Sequence, residues 1–408
     1  MSRTLRVGII GGGIGGTALA VSLLQRGIEV RIFERAPQFG VVGAGIQVTP
    51  NAVKVLKALG LFDRAMQSAF LPHAIVGRNW RSARESFRTP LLDTCPTLYD
   101  APFLHMHRAD LQDVFVGALP DGTVAFGKTC VSVRQTGESA IAVFDDGSEF
   151  EADLIVGADG IHSPIRGAIF GAEAPRFTGH MCYRAVVPCD GPLDFVSPDS
   201  SFWLGPNSHV VTYYVSGGKG VNIVAVAETS DWVAESWNVP SSKAELLGAF
   251  KGWHPNIEKL FGRVEDVFKW GLFDRDPMKT WSQGRVTLLG DAAHPMLPFL
   301  SQGAAMAIED AYVLAAALSA HPSDVSAALR DYEAERLPRT SRVQLEARER
   351  GRTYHLPSAF AQAKRDFVYW ARGLINPQAT GIQANWVYEY DARAFAKRVT
   401  GEQPRVMA

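Results

Sequence analysis

Leu5-Arg6-Val7-Gly8-Ile9-Ile10-Gly11-Gly12-Gly13-Ile14-Gly15-Gly16 stands at the head of the chain, and its reading decides the fold. Leu5–Ile10 is a short apolar run of the kind a strand shows when both its faces are buried. A glycine-rich turn follows, then Thr17–Arg26 with helical character, stopped by Gly27. Ile28–Phe33 alternates apolar and polar residues as a second strand and ends at Glu34. This is one complete βαβ unit with an acid about 20 residues beyond the glycines. Gly11 permits the tight turn, Gly13 lets the backbone approach a pyrophosphate, and Gly16 lets the helix pack close to the sheet. Ile14 and Gly15 lie at the positive end of that helix. Glu34 suits the two hydroxyls of an adenosine ribose and opposes a 2′-phosphate, whereas Arg35 beside it reads from position alone as solvated. The unit calls for NAD or FAD and does not separate them.

Outward from this unit, 408 residues make two or three folding units at roughly 150 residues each. Forty-one basic against forty-two acidic side chains leave a net charge of −1, which excludes a dedicated nucleic-acid binder and a polybasic membrane anchor. The 47% hydrophobic and 20% charged fractions are those of a soluble globular protein. Cys95, Cys130, Cys182 and Cys189 form no CxxC pair, so neither a disulfide framework nor a cysteine zinc site is expected, and a reducing cytoplasm is the expected compartment. Arg3 and Arg6 ahead of the apolar run Val7–Leu24 imitate a signal peptide, but the glycine-rich centre suits a strand, turn and helix instead. No other window holds the ~18 continuous apolar residues of a membrane span.

Asn51 reads as the cap of a helix over Ala52–Leu59, closed by Gly60. Ala140–Phe144 and Ser148–Val156 flank Asp146-Gly147 as a hairpin whose second arm runs into Gly157-Ala158-Asp159-Gly160. Pro175–Glu228 is β-rich, with His209–Ser216 and Val221–Glu228 paired across Gly217-Gly218-Lys219-Gly220. From Val325 the chain reads as mainly helical and charged, with Trp370 and Trp386 as packing anchors. Asp324, Asp331, Glu333 and the Glu346–Arg352 run read as a solvated helix face.

Three further segments choose between the dinucleotides. Gly43-Ala44-Gly45-Ile46-Gln47 is a small-residue loop where backbone must approach a flat ligand. His107-Arg108-Ala109-Asp110-Leu111 sets Arg108 at a helix start, suited to a phosphate or to stacking on a ring. Arg285–Leu289 is a buried strand closing at Gly290-Asp291, a carboxylate at the strand end where open α/β sheets bind ligands. A ribityl chain offers hydroxyl donors to such a group and nicotinamide dinucleotides have none. After Ala292-Ala293-His294-Pro295 comes Pro298-Phe299-Leu300-Ser301-Gln302-Gly303. The prolines stiffen this loop, and Gly303, Ala304 and Ala305 leave room for a ring at the start of a small-residue helix over Gly303–Leu318. The positive end of that helix suits the negative charge of a reduced flavin.

On these residues the chain resembles the single-component FAD-dependent aromatic hydroxylases of the para-hydroxybenzoate hydroxylase type, over residues 5 to 345. The motifs are Gly11–Gly16, then Gly157-Ala158-Asp159-Gly160 with Ser163 and Arg166, then Leu289-Gly290-Asp291-Ala292-Ala293-His294-Pro295. Within that family it is most similar to the salicylate hydroxylase, 3-hydroxybenzoate 6-hydroxylase and 6-hydroxynicotinate 3-monooxygenase subgroup. The resemblance implies an α/β fold with an α+β insertion: a Rossmann-like FAD-binding domain over 1–72, 105–174 and 271–320, a β-rich substrate domain over 73–104 and 175–270, and a C-terminal helical region over 321–408. It implies a tightly held FAD, NADH or NADPH as a transient co-substrate, O2, and a flavin C4a-hydroperoxide that hydroxylates a small hydroxylated aromatic acid. The cofactor would be held by Gly11, Gly13, Ile14, Gly15, Gly16, Glu34, Arg35, Gly45, Gln47, Arg108, Val131, Asp159, Asp291, Gly303 and Ala304. Disulfide reductases share the first and last motifs, but their redox-active cysteine pair and second glycine fingerprint are missing here. The nicotinamide therefore has no domain of its own and docks near Asp159.

Such chemistry needs water excluded and the substrate hydroxyl deprotonated. His209, Val211 and Tyr213 share one face of a strand, giving a base and a phenolic donor; a packed histidine and tyrosine give the same pattern, and the resemblance favours catalysis. Arg184 suits an aromatic carboxylate held bidentately, or equally a salt bridge. Pro298 and Phe299 would line the substrate. His294 reads as a structural hydrogen-bonding residue, and His105 and His107, with no third ligand in spacing, as packed or solvated imidazoles rather than a metal site. The subgroup's histidines are replaced at two positions, Gln47 and Phe299. The alternatives are a salicylate-type decarboxylative hydroxylation, a larger or purine-like substrate, and a non-catalytic flavin sensor. Monomer and homodimer are both open.

Overall fold

The apolar runs of the amino-terminal half become parallel strands of a six-stranded sheet in the computed structural model, which describes residues 4–40, 44–230, 239–375 and 385–401. Arg3 and Gly43 lie outside the described residues. The sheet order is Ser282–Gln283, Val286–Leu288, Leu154–Gly157, Arg6–Ile10, Glu29–Glu34 and Val124–Phe126, parallel except at its first pair. Ile9 pairs with Ile32 on one side and Val156 on the other, and all three are fully buried. Such two-sided burial explains why Arg6–Ile10 and Leu154–Gly157 read as apolar runs, whereas Glu29–Glu34 alternates because Glu29 and Arg31 are exposed.

Three local readings need correction. The first helix spans Ile14–Leu24 and starts within the glycine turn, because Gly13 takes the cap position and Thr17 Oγ1 donates back to its carbonyl at 2.9 Å. Ser148–Val156 is two strands. Glu149–Ala152 joins Ala140–Phe144 and Cys130–Gln135 in a small antiparallel sheet, while Leu154–Gly157 enters the main sheet. The break is Asp153, whose carboxylate accepts the Arg6 N–H at 2.8 Å. Asn51 sits inside the helix Pro50–Ala58 rather than capping it, and donates to Glu309 at 2.6 Å.

The second sheet has eight strands, in the order Val239–Ser241, Val267–Asp274, Arg176–Pro188, Gly220–Glu228, Ser208–Val215, Ser200–Gly205, Ala74–Asn79, Glu85–Pro90. Its central strand alternates as expected. Val210 and Tyr214 pack outward against Trp203, Phe250 and Trp253, while Val211 and Tyr213 face the main core.

The carboxyl-terminal half adds helices Gly303–Ala320, Val325–Tyr354, Ala359–Ile375, Asn385–Glu389 and Ala392–Thr400. Gly303–Ala320 has the length and mean hydropathy of a membrane span, yet it carries Glu309 and Asp310 and is mostly buried within the fold. Those two acids meet Arg336 and Arg339: Arg336 reaches Glu309 at 2.5 Å and Asp310 at 2.8 Å, and Arg339 reaches Glu309 at 2.8 Å. The acidic face read as solvated is partly structural. Asp324 caps the long helix, Asp331 binds His321 at 2.8 Å, and Glu333 accepts the Trp281 N–H at 2.9 Å. Trp386 is an anchor, with Arg342 3.7 Å above its ring and Glu346 accepting its N–H. Trp370 is not, since half of it is exposed.

Removing one partner from a buried ionic group leaves an uncompensated charge. Arg336→Met should therefore cost about 3–5 kcal/mol in urea unfolding at pH 7; a loss below about 1 kcal/mol would show that Glu309 and Asp310 do not need the guanidinium.

Candidate active site

Four neighbouring parallel strands deliver four features to one edge of the sheet. Asp291 follows Val286–Leu288, Asp159 follows Leu154–Gly157, the glycine turn follows Arg6–Ile10, and Glu34 ends its own strand. Gly11 has φ +107°, and a Cβ there would lie 2.3 Å from the Ala158 carbonyl oxygen. At Gly16 a Cβ would lie 2.0 Å from the Gly11 carbonyl oxygen, so the fold itself requires both. Gly13 is different: a Cβ there meets nothing within 4 Å, leaving open space at the positive end of a helix.

Glu34 is already oriented. Its Oε2 accepts from Gly12 N at 2.7 Å and its Oε1 from Ala36 N at 2.9 Å, with lone pairs left over for ribose hydroxyls. Asp159 has one carboxylate oxygen on the Ile165 N–H at 3.2 Å and the other buried without a partner. Burial pushes its carboxyl up to about 6, against the pull of Ser163 and of Arg35 nearby. Asp291 is enclosed by protein yet open to the cleft; enclosure raises its carboxyl, while His294 and Arg108 pull it down. Arg108 starts the helix Arg108–Val116, capped by His107 Nδ1, and lies where Asp291 and Glu34 both act on it. Open space beside Gly13, an orphaned acceptor at Asp159 and an oriented Glu34 fit a pyrophosphate-bearing dinucleotide with hydroxyl donors.

The remaining cofactor positions vary. Gly303 and Ala304 open the helix Gly303–Ala320, with Gly303 beside Asp291. Val131 is exposed at a bulge between Cys130 and Ser132. Gly45 lies in the strand Gly45–Val48, not a loop, and its small size admits the Asn222 side chain, whose Oδ1 accepts the Gly45 N–H at 2.7 Å. Gln47 is buried and donates to Ser200 Oγ at 2.9 Å.

Beside this edge the central strand of the eight-stranded sheet presents His209 and Tyr213, both buried. Four residues at about 3.3 Å each separate their Cα atoms by about 13 Å, with Val211 between them on the same face. Tyr213 stacks on His105 with ring centroids 4.3 Å apart. Both ring nitrogens of His105 are buried and unpartnered, so it is a packed imidazole, as its spacing implied. His294 donates or accepts at 2.5 Å with Asp310, the structural bond expected of it. Arg184 lies 4.9 Å from the Trp270 ring, with no carboxylate partner among the described residues. Phe299 is buried against His180, His209, Tyr354 and His355, and Pro298 begins the short turn that holds it.

His355 was not foreseen. Its Nε2 lies 2.6 Å from His209 Nδ1, and its Nδ1 lies 3.8 Å from the exposed Glu228. His180 completes the group, with donor atoms of His180, Glu228 and His355 all within 4.8 Å of one another. Burial pulls His209 and His105 down to about 3 and lowers His355 further, with His209 and His180 adding repulsion there. All three are neutral imidazoles near neutral pH. The only signal for His355 was its place at the end of a long helix before Leu356-Pro357, beyond the stretch that carries the motifs.

This two-part site, a dinucleotide edge beside a buried histidine and tyrosine face, is that of an FAD-dependent aromatic monooxygenase. The chain belongs to the family described as FAD binding domain, whose model matches residues 4–347. It is 42% identical over 394 residues to 3-amino-4-hydroxybenzoate 2-monooxygenase PtmB3 of Streptomyces platensis, covering 96% of this chain and 98% of that protein. It is 40% identical over 345 residues to 6-hydroxynicotinate 3-monooxygenase of Bordetella bronchiseptica, covering 83% and 89%. Among solved structures, a salicylate hydroxylase substrate complex superposes with a TM-score of 0.81 at 29% identity, each chain covered completely.

Two outcomes follow from the geometry. Gly13→Ala should leave the thermal midpoint of the apoprotein unchanged while weakening FAD binding at least tenfold by fluorescence titration, whereas Gly16→Ala should fail to fold. FAD bound equally well by Gly13→Ala would move the pyrophosphate elsewhere. The second outcome concerns acid. His105 takes up a proton at about 6.5 unfolded and only near 3 folded, so the unfolded chain binds more protons between those values. Its neutral burial contributes stability above pH 6.5 that is lost as pH falls, at about 1.4 kcal/mol per pH unit. His105→Phe should flatten the urea-unfolding stability profile by that slope between pH 6 and 4, and an unchanged slope would mean that His105 is protonated in the fold.

Proposed function

We propose that the protein hydroxylates a single-ring aromatic monocarboxylate bearing a hydroxyl group, with amino-hydroxybenzoates of the 3-amino-4-hydroxybenzoate kind foremost. NADH or NADPH and O2 are the co-substrates and the cytoplasm is the compartment. The observation that carries this reading is the buried face that His209 and Tyr213 share beside the cofactor edge, with Phe299 packed on His209 at 5.5 Å between ring centroids. PtmB3 and its 98% coverage support the choice of ring, and four free cysteines, three of them buried, support a reducing compartment.

FAD supplies the oxygen-activating chemistry when bound, held by Gly13 and its helix end at the pyrophosphate, Glu34 at the ribose, and Asp159 and Asp291 at the hydroxyl-bearing chain. The protein's own part is proton management and orientation. Arg184, stacked on Trp270 and unpaired with any described carboxylate, takes the substrate carboxylate. His209 is the base for the ring hydroxyl. For its Nε2 to accept that proton, His209 Nδ1–H donates to His355 Nε2, which leaves the His355 proton on Nδ1, toward Glu228. A proton taken at His209 then leaves through His355 to a carboxylate in water, and the buried pair need not stay charged. Tyr213 orients the ring from the other end, and Phe299 keeps water from it.

A panel of hydroxybenzoates, aminohydroxybenzoates and hydroxypyridine carboxylates tests the substrate. Turnover should be tightest with a monocarboxylate, scored as product mass per coenzyme oxidised. Preference for a polycycle or a purine would overturn the reading. With the best substrate, His209→Asn should lower the hydroxylation rate about 10²–10⁴-fold and make it rise with pH, following the free phenol. An unchanged pH profile would remove His209 as the base.

A further inference from the structure

Helix Ala359–Ile375 rests one side on the fold, with Gln362, Arg365 and Tyr369 buried and Tyr369 packed edge-on to Phe87 at 5.3 Å. Its other side carries Phe360, Phe367, Trp370 and Leu374, which are 81%, 63%, 51% and 67% exposed. With the exposed Ala363 their spacing is 3-4-3-4. At 100° per residue these five side chains lie within an arc of about 80° and run for about 21 Å. A narrow seam of 3.5-residue period is the pattern one helix shows to another, not the broader stripe with a basic polar face that floats on lipid. Lys364 and Arg372 are the only exposed cations among the described residues of this helix, too few for such a face.

We infer that this seam is the docking surface for a second copy of the chain, the two helices running antiparallel about a two-fold axis beside Phe367. The side-chain sizes favour that register. Phe367 meets its own copy, Phe360 meets Leu374 seven residues to either side, and the bulky Trp370 meets the small Ala363. A parallel pair would set Trp370 on Trp370 and Ala363 on Ala363, one crowded and one empty. Phe367 and Trp370 already lean together, with centroids 5.8 Å apart, so the centre of the seam is ordered before pairing. At roughly 150–250 Å² per large side chain, the exposed parts of these residues amount to about 500 Å² per copy. Two copies then bury about 1,000 Å², which reaches the floor for a specific interface, and Val368 and Ile375 widen it. The seam lies on the side of its helix opposite the buried Gln362, Arg365 and Tyr369, and none of its residues belongs to the site described above.

Sedimentation velocity of the FAD-loaded protein tests this. The chain should run as a dimer of its 44.4 kDa unit at 10–50 μM, estimated on a micromolar affinity scale. Phe367→Glu should weaken the dimer at least 100-fold and leave turnover per site unchanged. Phe367→Cys should form an intermolecular disulfide on mild oxidation, while a control cysteine at exposed Arg352 should not. A monomeric wild-type protein, a dimer indifferent to Phe367→Glu, or a monomer captured by phosphatidylserine–phosphatidylcholine vesicles through this helix would each overturn the inference.

Discussion

Two carboxylates that never meet water hold the active-site loop in place. Asp310 accepts from the Gly290 N–H at 3.2 Å, from His294 at 2.5 Å and from Arg336, while Glu309 binds Asn51, Arg336 and Arg339. One helical turn therefore fixes the Gly290-Asp291 strand end, the helix Pro50–Ala58 and the long carboxyl-terminal helix relative to one another. Such a cluster costs desolvation and repays it only when every partner is present. Its return is positional: the segment from Asp291 to Gly303 is pinned at its start and enters the helix that carries the pins.

That rigidity allows the rest of the cleft to be built from opposing demands. The cofactor edge needs charge, and Glu34, Arg108 and Asp291 supply alternating signs close enough to act on one another. The substrate face needs the reverse. His105, His209 and His355 are so desolvated that they stay neutral, and Phe299 packs against His209 and His355. A neutral imidazole can accept a proton, and a dry apolar wall protects whatever it faces from hydrolysis.

The legible part was the part made of contiguous chain. The strands of the first βαβ unit, the Glu34 terminus, the Gly290-Asp291 strand end and the shared His209/Tyr213 face follow from local periodicity and stand where their reading put them, while the first helix starts three residues earlier than read. What failed involved distant partners. Asp153 breaks a strand because of Arg6, Asn51 leaves its capping role for Glu309, and Gly45 is small for the sake of Asn222. His355 is the extreme case, meeting His209 from 146 residues away. Trp370 failed for another reason: a large aromatic on an amphipathic helix reads as buried, and only packing shows which face the fold uses.

Phe299 ties these strands together. Its ring packs on His209 and His355 with centroids 5.5 and 5.7 Å away and adds no titratable group there. The ring is wedged against Gly351 so closely that a Cβ there would lie 2.5 Å from it, so the long helix and the pocket wall are shaped by one contact. Four residues beyond Gly351 His355 caps the same helix, and its imidazole meets His209. On the sheet side Arg184 rests on Trp270 with no carboxylate partner among the described residues, the charge that the proposed substrate's carboxylate would balance.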